Sequence, residues 1–490
     1  MSGPKIAPLA LARFALAAAV LAALAACAVG PDYRPPAAMP SAAATPKAFK
    51  EAEGWAQAAP SDAVSRQDCW KVFGDPVLDG LEAKVLVSNQ NLAQAEAAWR
   101  QAKAVLDQQR AALFPTVSLA GSATRSQSPT GFTGAQGALS SGAKPIDIYS
   151  TGIGLTWDVD VWGRIRRQIE SAHANAQASA GDLANATLAA QALLAADYFQ
   201  LREADEEKRL IDQTVTGYAD SLRIAEARFK SGVGAQTDQL SAQVQLKTAQ
   251  AQAEDLARTR AQLEHAIAVL AGQAPADLTL AAKTWSPEVP AVPVTLPAAL
   301  LQRRPDIAAA ERRMQAANAQ IGVNVAGYFP DVQVSGQYGF TAIVLSQLLN
   351  AGNNAWSIGA SGAETLFNAG ATSARVRQAR AAYDAAVANY RQTVLIAFQQ
   401  VEDNITALRV LQSEYDLDQA ASEEADRAEQ LTNKQYSAGQ VDFTAVVVAQ
   451  NTALGARRTA LQAARSRLVA MVDLVQAFGG GWSATQLAQK

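Results

Sequence analysis

Residues of the types that chemistry needs are few in this 490-residue chain, and their spacing is poor. Its only histidines, His173 and His265, are 92 positions apart, without CxxC or HExxH spacing, so a metal centre lacks its ligand cluster. No GxSxG or phosphate-binding GxxxxGK[ST] run occurs. Asp158 and Asp160 share one face of a strand-like segment, as a catalytic pair would. Paired acids at a water-lined strand end are the more economical reading. RFKSGVGAQTDQLSAQ (228–243) carries Gly232 and Gly234 two residues apart, but it follows no strand, so a nucleotide loop is not supported. FGGGW (478–482) lacks the same context and reads as the glycine cap of a last helix. No catalytic residue, cofactor or metal is expected, and the chain is expected not to be an enzyme.

The glycine stretch matters for position instead, which turns the question to the elements around it. Lys+Arg number 42 against 45 Asp+Glu, without the basic excess of a nucleic-acid binder, so no nucleic-acid partner is expected. Hydrophobic residues make up 49% but aromatics only 6%, and Ala and Gln recur throughout, a helix-forming composition. Lys5 and Arg13 precede an uncharged apolar run, Phe14 to Ala26, too short to cross a bilayer; residues 1–26 read as a signal peptide. The run ends in LAAC, which is similar to the lipobox of bacterial lipoproteins. That similarity implies a lipid anchor, palmitate included, on Cys27, and Ala28 is similar to the signal for outer-membrane delivery. With Cys27 acylated, Cys69 has no partner for an intrachain disulfide.

Residues 27–80 are rich in Pro and Ala near their start and read as a lipidated tether. Beyond them the sequence repeats. Residues 91–121 align without gaps on 306–336, matching Glu96 with Glu311, Phe114-Pro115 with Phe329-Pro330 and Gly121 with Gly336. Residues 151–163 align with 356–368, pairing Trp162 with Phe367, and 228–243 align with 435–450, pairing Gly232 with Gly439. The organisation is therefore one structural unit used twice, over 81–280 and 297–482, with a Pro-rich linker at 281–296 and a tail at 483–490. Within each unit the pattern predicts helix (82–113 and 297–328), a hairpin of two strands after the Phe-Pro, then two very long helices that reverse at the glycine stretch. Helix over 163–230 would run roughly 100 Å at 1.5 Å per residue.

On the hairpins Val117, Leu119, Ile153, Leu155 and Trp157 alternate with Ser, Gly, Thr and Asp. This is the alternation of a transmembrane barrel with lipid outside and water inside. A soluble β-layer packed on helices alternates in the same way. Phe114, Trp162, Phe329 and Phe367 fall where strand meets helix, the place of an interfacial girdle, and with the Cys27 motif they favour the membrane. Four strands leave open edges that a bilayer does not tolerate. Three chains closing twelve strands would remove them.

Longer matches carry a specific resemblance. CAVGPDYRPP (27–36), FGDPVLDGLE (73–82), DVDVWGRIRR (158–167), LPAALLQRRPDIAAAERRMQAANAQIGV (296–323), FPDVQVSG (329–336) and AFGGGW (477–482) resemble the motifs of the TolC family of outer membrane factors, in its NodT-type lipoprotein branch. The resemblance implies a mainly α protein with a small β part: a homotrimeric channel-tunnel whose 12-stranded barrel continues into a helical periplasmic tunnel. It implies a periplasmic adaptor and an inner-membrane pump, proton-driven and of the RND type, as partners. The function implied is passive export of small toxic molecules; the duct of an ATPase-driven protein secretion system and a structural lipoprotein without a pore are the competing readings. The family also places its closing contacts beside the glycine turns. Thr237 and Asp238 occupy the positions of the polar links, with Tyr436 on the facing turn. Val441 stands where the best-known members carry Arg, which leaves a Tyr–Asp hydrogen bond open but not an Arg–Asp pair. Closure then shifts toward Val441, Phe443 and an acidic ring of Asp442, while capping of the following helix is the plainer role for Asp238. Cys69 stands where the family usually has a second Trp.

Overall fold

A computed structural model describes residues 28–39, 48–51, 69–127, 145–285, 288–290 and 303–480. Cys27, the signal segment, half of the Pro-rich linker and the 483–490 tail lie outside the described residues. The chain forms two compact units: Met1–Pro36, Arg100–Gln177 and Glu311–Ala388 make the first, and Ala37–Trp99, Ala178–Ala310 and Asn389–Lys490 the second. The boundaries differ from those of the sequence repeats, because each repeat gives residues to both units.

Among the described residues the α-helices are α1 (Pro76–Ser88), α2 (Gln90–Ala111), α3 (Arg164–Lys230), α4 (Gln236–Leu270), α5 (Pro305–Ala326), α6 (Ala371–Ser437) and α7 (Phe443–Ala477). Their lengths recur: α2 and α5 have 22 residues, α3 and α6 have 67, α4 and α7 have 35. Among the described residues no helix is both long and apolar enough to cross a membrane. Each end has a local cause. Asp75 caps α1 by accepting from Val77 N at 2.9 Å, with Pro76 in the first turn. The single helix expected over 82–113 is instead broken at Asn89, which is extended (ψ 122°) and accepts from Asn91 N and Leu92 N at 2.9 and 3.1 Å. An Asn carries its own N-cap, so one residue ends a helix and starts the next without Gly or Pro. Gly479 and Gly480, at φ +85° and +55°, follow the last helix, and Gly480 N bonds to Val475 O at 3.1 Å, as a glycine cap requires.

In the first unit β1 (Thr116–Ser126), β2 (Ile146–Val159), β3 (Asp331–Ala342) and β4 (Asn354–Ala363) form one antiparallel sheet in that order. The register sets Leu119 opposite Ile153, Ile153 opposite Tyr338 and Tyr338 opposite Trp356. Because side chains alternate with period two, this matching gathers most of the large apolar residues of the four strands on one face, with Ile146 and Ile148 at the start of β2 falling on the other. Ser118, Gly154, Gln337 and Ser357 share the other. The apolar face is uncovered in the chain: Leu119 is 79% exposed and Ile358 76%. Gly152 and Gly339 face each other so closely that a Cβ at Gly339 would lie 2.5 Å from Thr151 O, a contact no larger residue permits.

The start of the expected tether is docked, not loose. In the first unit Val29 N donates to Trp162 O at 3.0 Å, Asn318 Nδ2 donates to Pro31 O at 2.9 Å, and Arg167 pairs with Asp32 at 2.8 Å. Gly30 (φ +98°) lies on Gly322, and a Cβ there would come within 2.4 Å of the Gly322 Cα. Composition signalled the lack of a core; it could not signal that an extended backbone would be held by hydrogen bonds. In the second unit Lys50 N and Glu51 N donate to the Glu402 carboxylate at 2.7 and 2.9 Å, and the core is built from Leu194, Tyr198, Leu201, Ile211, Ile405 and Leu468 amid many alanines.

Candidate functional site

The two helix reversals, α3 to α4 and α6 to α7, meet in the second unit. Gly232 at φ +77° and Gly439 at φ +75° make the left-handed residues that end α3 and α6, a conformation open to glycine at little cost. Gly234 has ordinary backbone but no room, since a Cβ would sit 2.9 Å from the Cβ of Arg228. Between the reversals a small core forms from Ala225, Ala242, Tyr436, Phe443 and Val446, with Val441 packed against it.

The residues singled out by sequence separate here. Thr237 is exposed and Asp238 half-buried in the first turn of α4, where a carboxylate complements the helix dipole. Ala235, at the cap position, makes no side-chain bond. Asp442 is exposed and caps α7, accepting from Ala445 N at 3.0 Å. Phe443 is only 1% exposed: as the first residue of α7 it turns inward and meets Tyr436 at 5.3 Å with the rings tilted by 60°. Tyr436 is also buried, at 4% exposed, and its hydroxyl makes no hydrogen bond among the described residues. The open Tyr–Asp hydrogen bond is therefore not formed within one chain. Burial pushes the Tyr436 phenol up, the charge of Asp238 adds to this, and Arg228 opposes it.

Arg228 is the residue that sequence reasoning missed. Its guanidinium carbon lies 4.8 Å from the centre of the Tyr436 ring, and Nη1 donates to the Tyr436 carbonyl at 3.1 Å. Arg228 thus reaches the α6–α7 reversal from the other hairpin. The repeat alignment hid it, since Arg228 falls on Gln435 there.

At the strand–helix junctions of the first unit Trp162 stacks on Phe329 at 4.7 Å and donates its indole N–H to Pro330 O at 2.9 Å. Phe114 and Phe367 are exposed. Trp157 joins them with its indole N–H on Leu113 O at 3.0 Å, the amphipathic posture of an interfacial aromatic. The acid pair has no catalytic geometry. Asp160 accepts from Ile165 N and Arg166 N at 3.0 and 2.9 Å to start α3, and Asp158 accepts from Gln333 at 3.0 Å. Among the described residues no cluster of His, Cys, Asp and Glu is arranged to hold a metal.

An antiparallel sheet with an uncovered apolar face, joined to paired helices of 67 and 35 residues that reverse at glycine turns, is the build of a bacterial outer-membrane export channel. The chain belongs to the outer membrane efflux protein family, whose model matches residues 81–273 and 296–480. It is 30% identical over 465 residues to the solvent efflux pump outer membrane protein SrpC of Pseudomonas putida, covering 94% of this chain and 96% of that relative. The solved outer-membrane channel OprN superposes with a TM-score of 0.80 at 32% identity, covering 93% of this chain and 100% of that one. The open state of the MtrE outer membrane channel of Neisseria gonorrhoeae gives 0.80 at 26% identity, over 94% and 99%. This chain is thus an outer-membrane component of an efflux system.

Proposed function

We propose that three copies of the chain form a passive duct through which an inner-membrane pump discharges small toxic molecules to the exterior. The observation that carries this reading is the apolar sheet face together with the edges of β1 and β4, neither of which has a further strand to pair with among the described residues. A bilayer tolerates an apolar face but not open strand edges. Three copies set edge to edge close twelve strands, with the Ser, Gly, Thr and Gln face lining water. The recurring helix lengths support an internal duplication that would line a periplasmic tunnel with similar helical pairs. The tips built on Gly232 and Gly439 would form its gated entrance and meet a periplasmic adaptor. A proton-driven RND-type pump, a lipid anchor at Cys27 and an absence of catalysis complete the proposal, and the solvent pump in the name of SrpC supports a small-molecule cargo.

The test is conductance. Purified protein in planar bilayers is expected to form trimers by native mass spectrometry and to open single channels, and Asp238→Ala is expected to raise their conductance. A trimer that never conducts would leave a structural lipoprotein instead.

A further inference from the structure

We propose that Arg228 is the positioning residue that joins the two hairpin tips of one chain, acting through the ring and carbonyl of Tyr436 and not through its hydroxyl. The proposal rests on the reading of the tips as a gated entrance and names what holds them together.

Three donors of the first reversal converge on one carbonyl, whereas the second is closed by two, Tyr436 O and Gln435 O. Arg228 O accepts from Val233 N and Gly234 N, both at 3.0 Å, and from Ser231 Oγ at 2.9 Å. Tyr436 O accepts from Gly439 N at 2.9 Å. The Arg228 side chain connects these two centres: Nη1 reaches the Tyr436 carbonyl at 3.1 Å while the guanidinium lies 4.8 Å over the ring. One arginine therefore closes its own turn through its backbone and grips the other turn through its side chain. The cation–π and carbonyl contacts use the whole residue except the phenol oxygen, which is buried and makes no hydrogen bond among the described residues. The same ring meets Phe443 at 5.3 Å, tilted by 60°, inside the apolar cluster of the tip, so the ring cannot leave the guanidinium without opening that core. Gly234 keeps the arrangement exclusive, since any Cβ there collides with Arg228.

Separating the hairpins, as opening of an entrance demands, breaks this contact. Arg228→Gln keeps amide donors but removes the charge. It is expected to shift the open-to-closed ratio in planar bilayers roughly fivefold toward open, which corresponds to about 1 kcal/mol. Arg228→Lys, which keeps a cation, should recover part of the wild-type behaviour. Tyr436→Phe should match wild type, because it retains ring and carbonyl; Tyr436→Leu should match Arg228→Gln; and the Arg228→Gln/Tyr436→Leu double variant should add little to either. Equal trimer yield and equal melting temperature among the variants separate a gating effect from poor folding. If Tyr436→Phe opens the channel as far as Tyr436→Leu, the hydroxyl is the grip and the proposal fails. Wild-type conductance in Arg228→Gln, with Asp238→Ala still raising it, overturns the proposal and leaves the gated duct standing. Absence of conductance in wild type and every variant overturns both.

Discussion

Glu82 lies on α1 with 4% of its surface exposed, and burial pushes its carboxyl up to about 9 against the pull of Gln191, with Asp79 adding to the rise. An acid whose folded value stands above its unfolded value of 4.5 holds a proton that the unfolded chain gives up. Its contribution is intact below pH 4.5 and is lost as pH rises toward 9. At 1.36 kcal/mol per unit the loss is roughly 3 kcal/mol at pH 7. Glu82→Gln is therefore expected to stabilise the protein, by little at pH 5 and by most at pH 8. Thermal unfolding in detergent at the two pH values checks this, and a pH-independent difference would contradict it. The sequence placed Glu82 in the FGDPVLDGLE motif, but burial is a property of what packs on it, and no neighbour in the chain reveals that. Arg228 was hidden for the same reason. Its partner Tyr436 is 208 positions away, and only the folded hairpins bring them together.

Among elements, the ends of helices were legible wherever glycine marked them. Gly232 and Gly439 stop α3 and α6 where the repeats said they would. Asn89 was missed because a side-chain cap leaves a weaker mark than a backbone conformation. Contacts between elements were not legible at all. Asp205 on α3 bridges Arg202 at 2.9 Å and Arg260 of α4 at 2.6 Å, with the Arg202 and Asp205 side chains 3% and 2% exposed. The same arginines hold the following segment: Arg202 donates to Ala281 O at 2.9 Å, and Arg260 to Leu280 O. Asp205→Ala leaves two guanidinium groups without their shared carboxylate, and such a loss costs about 3–5 kcal/mol. A clear fall in the unfolding midpoint is expected, together with faster proteolysis near Leu280. An unchanged midpoint would show the carboxylate to be dispensable.

For the whole molecule the sheet face is the quantity to test. Leu119→Arg puts a charge on the apolar face of β1, at a cost of about 2–4 kcal/mol near a bilayer midplane. Ser118→Arg puts the same charge on the other face. Outer-membrane fractionation is expected to show less folded Leu119→Arg protein and near-normal Ser118→Arg; equal loss in both would argue against lipid on the apolar side. At the N-terminus Cys27→Ser is expected to abolish acylation, read as the mass of the mature protein. An unacylated wild type would overturn the anchor. The sequence by itself determined the element order, the period-two faces and the glycine reversals, because each is written in residues close together along the chain. Register across β2 and β3, the docking of residues 29–32, the inward turn of Phe443 and the grip of Arg228 on Tyr436 were decided only by tertiary structure. These are contacts between segments more than a hundred residues apart or, for Phe443, burial against them, and local propensity carries no information about which distant partner arrives.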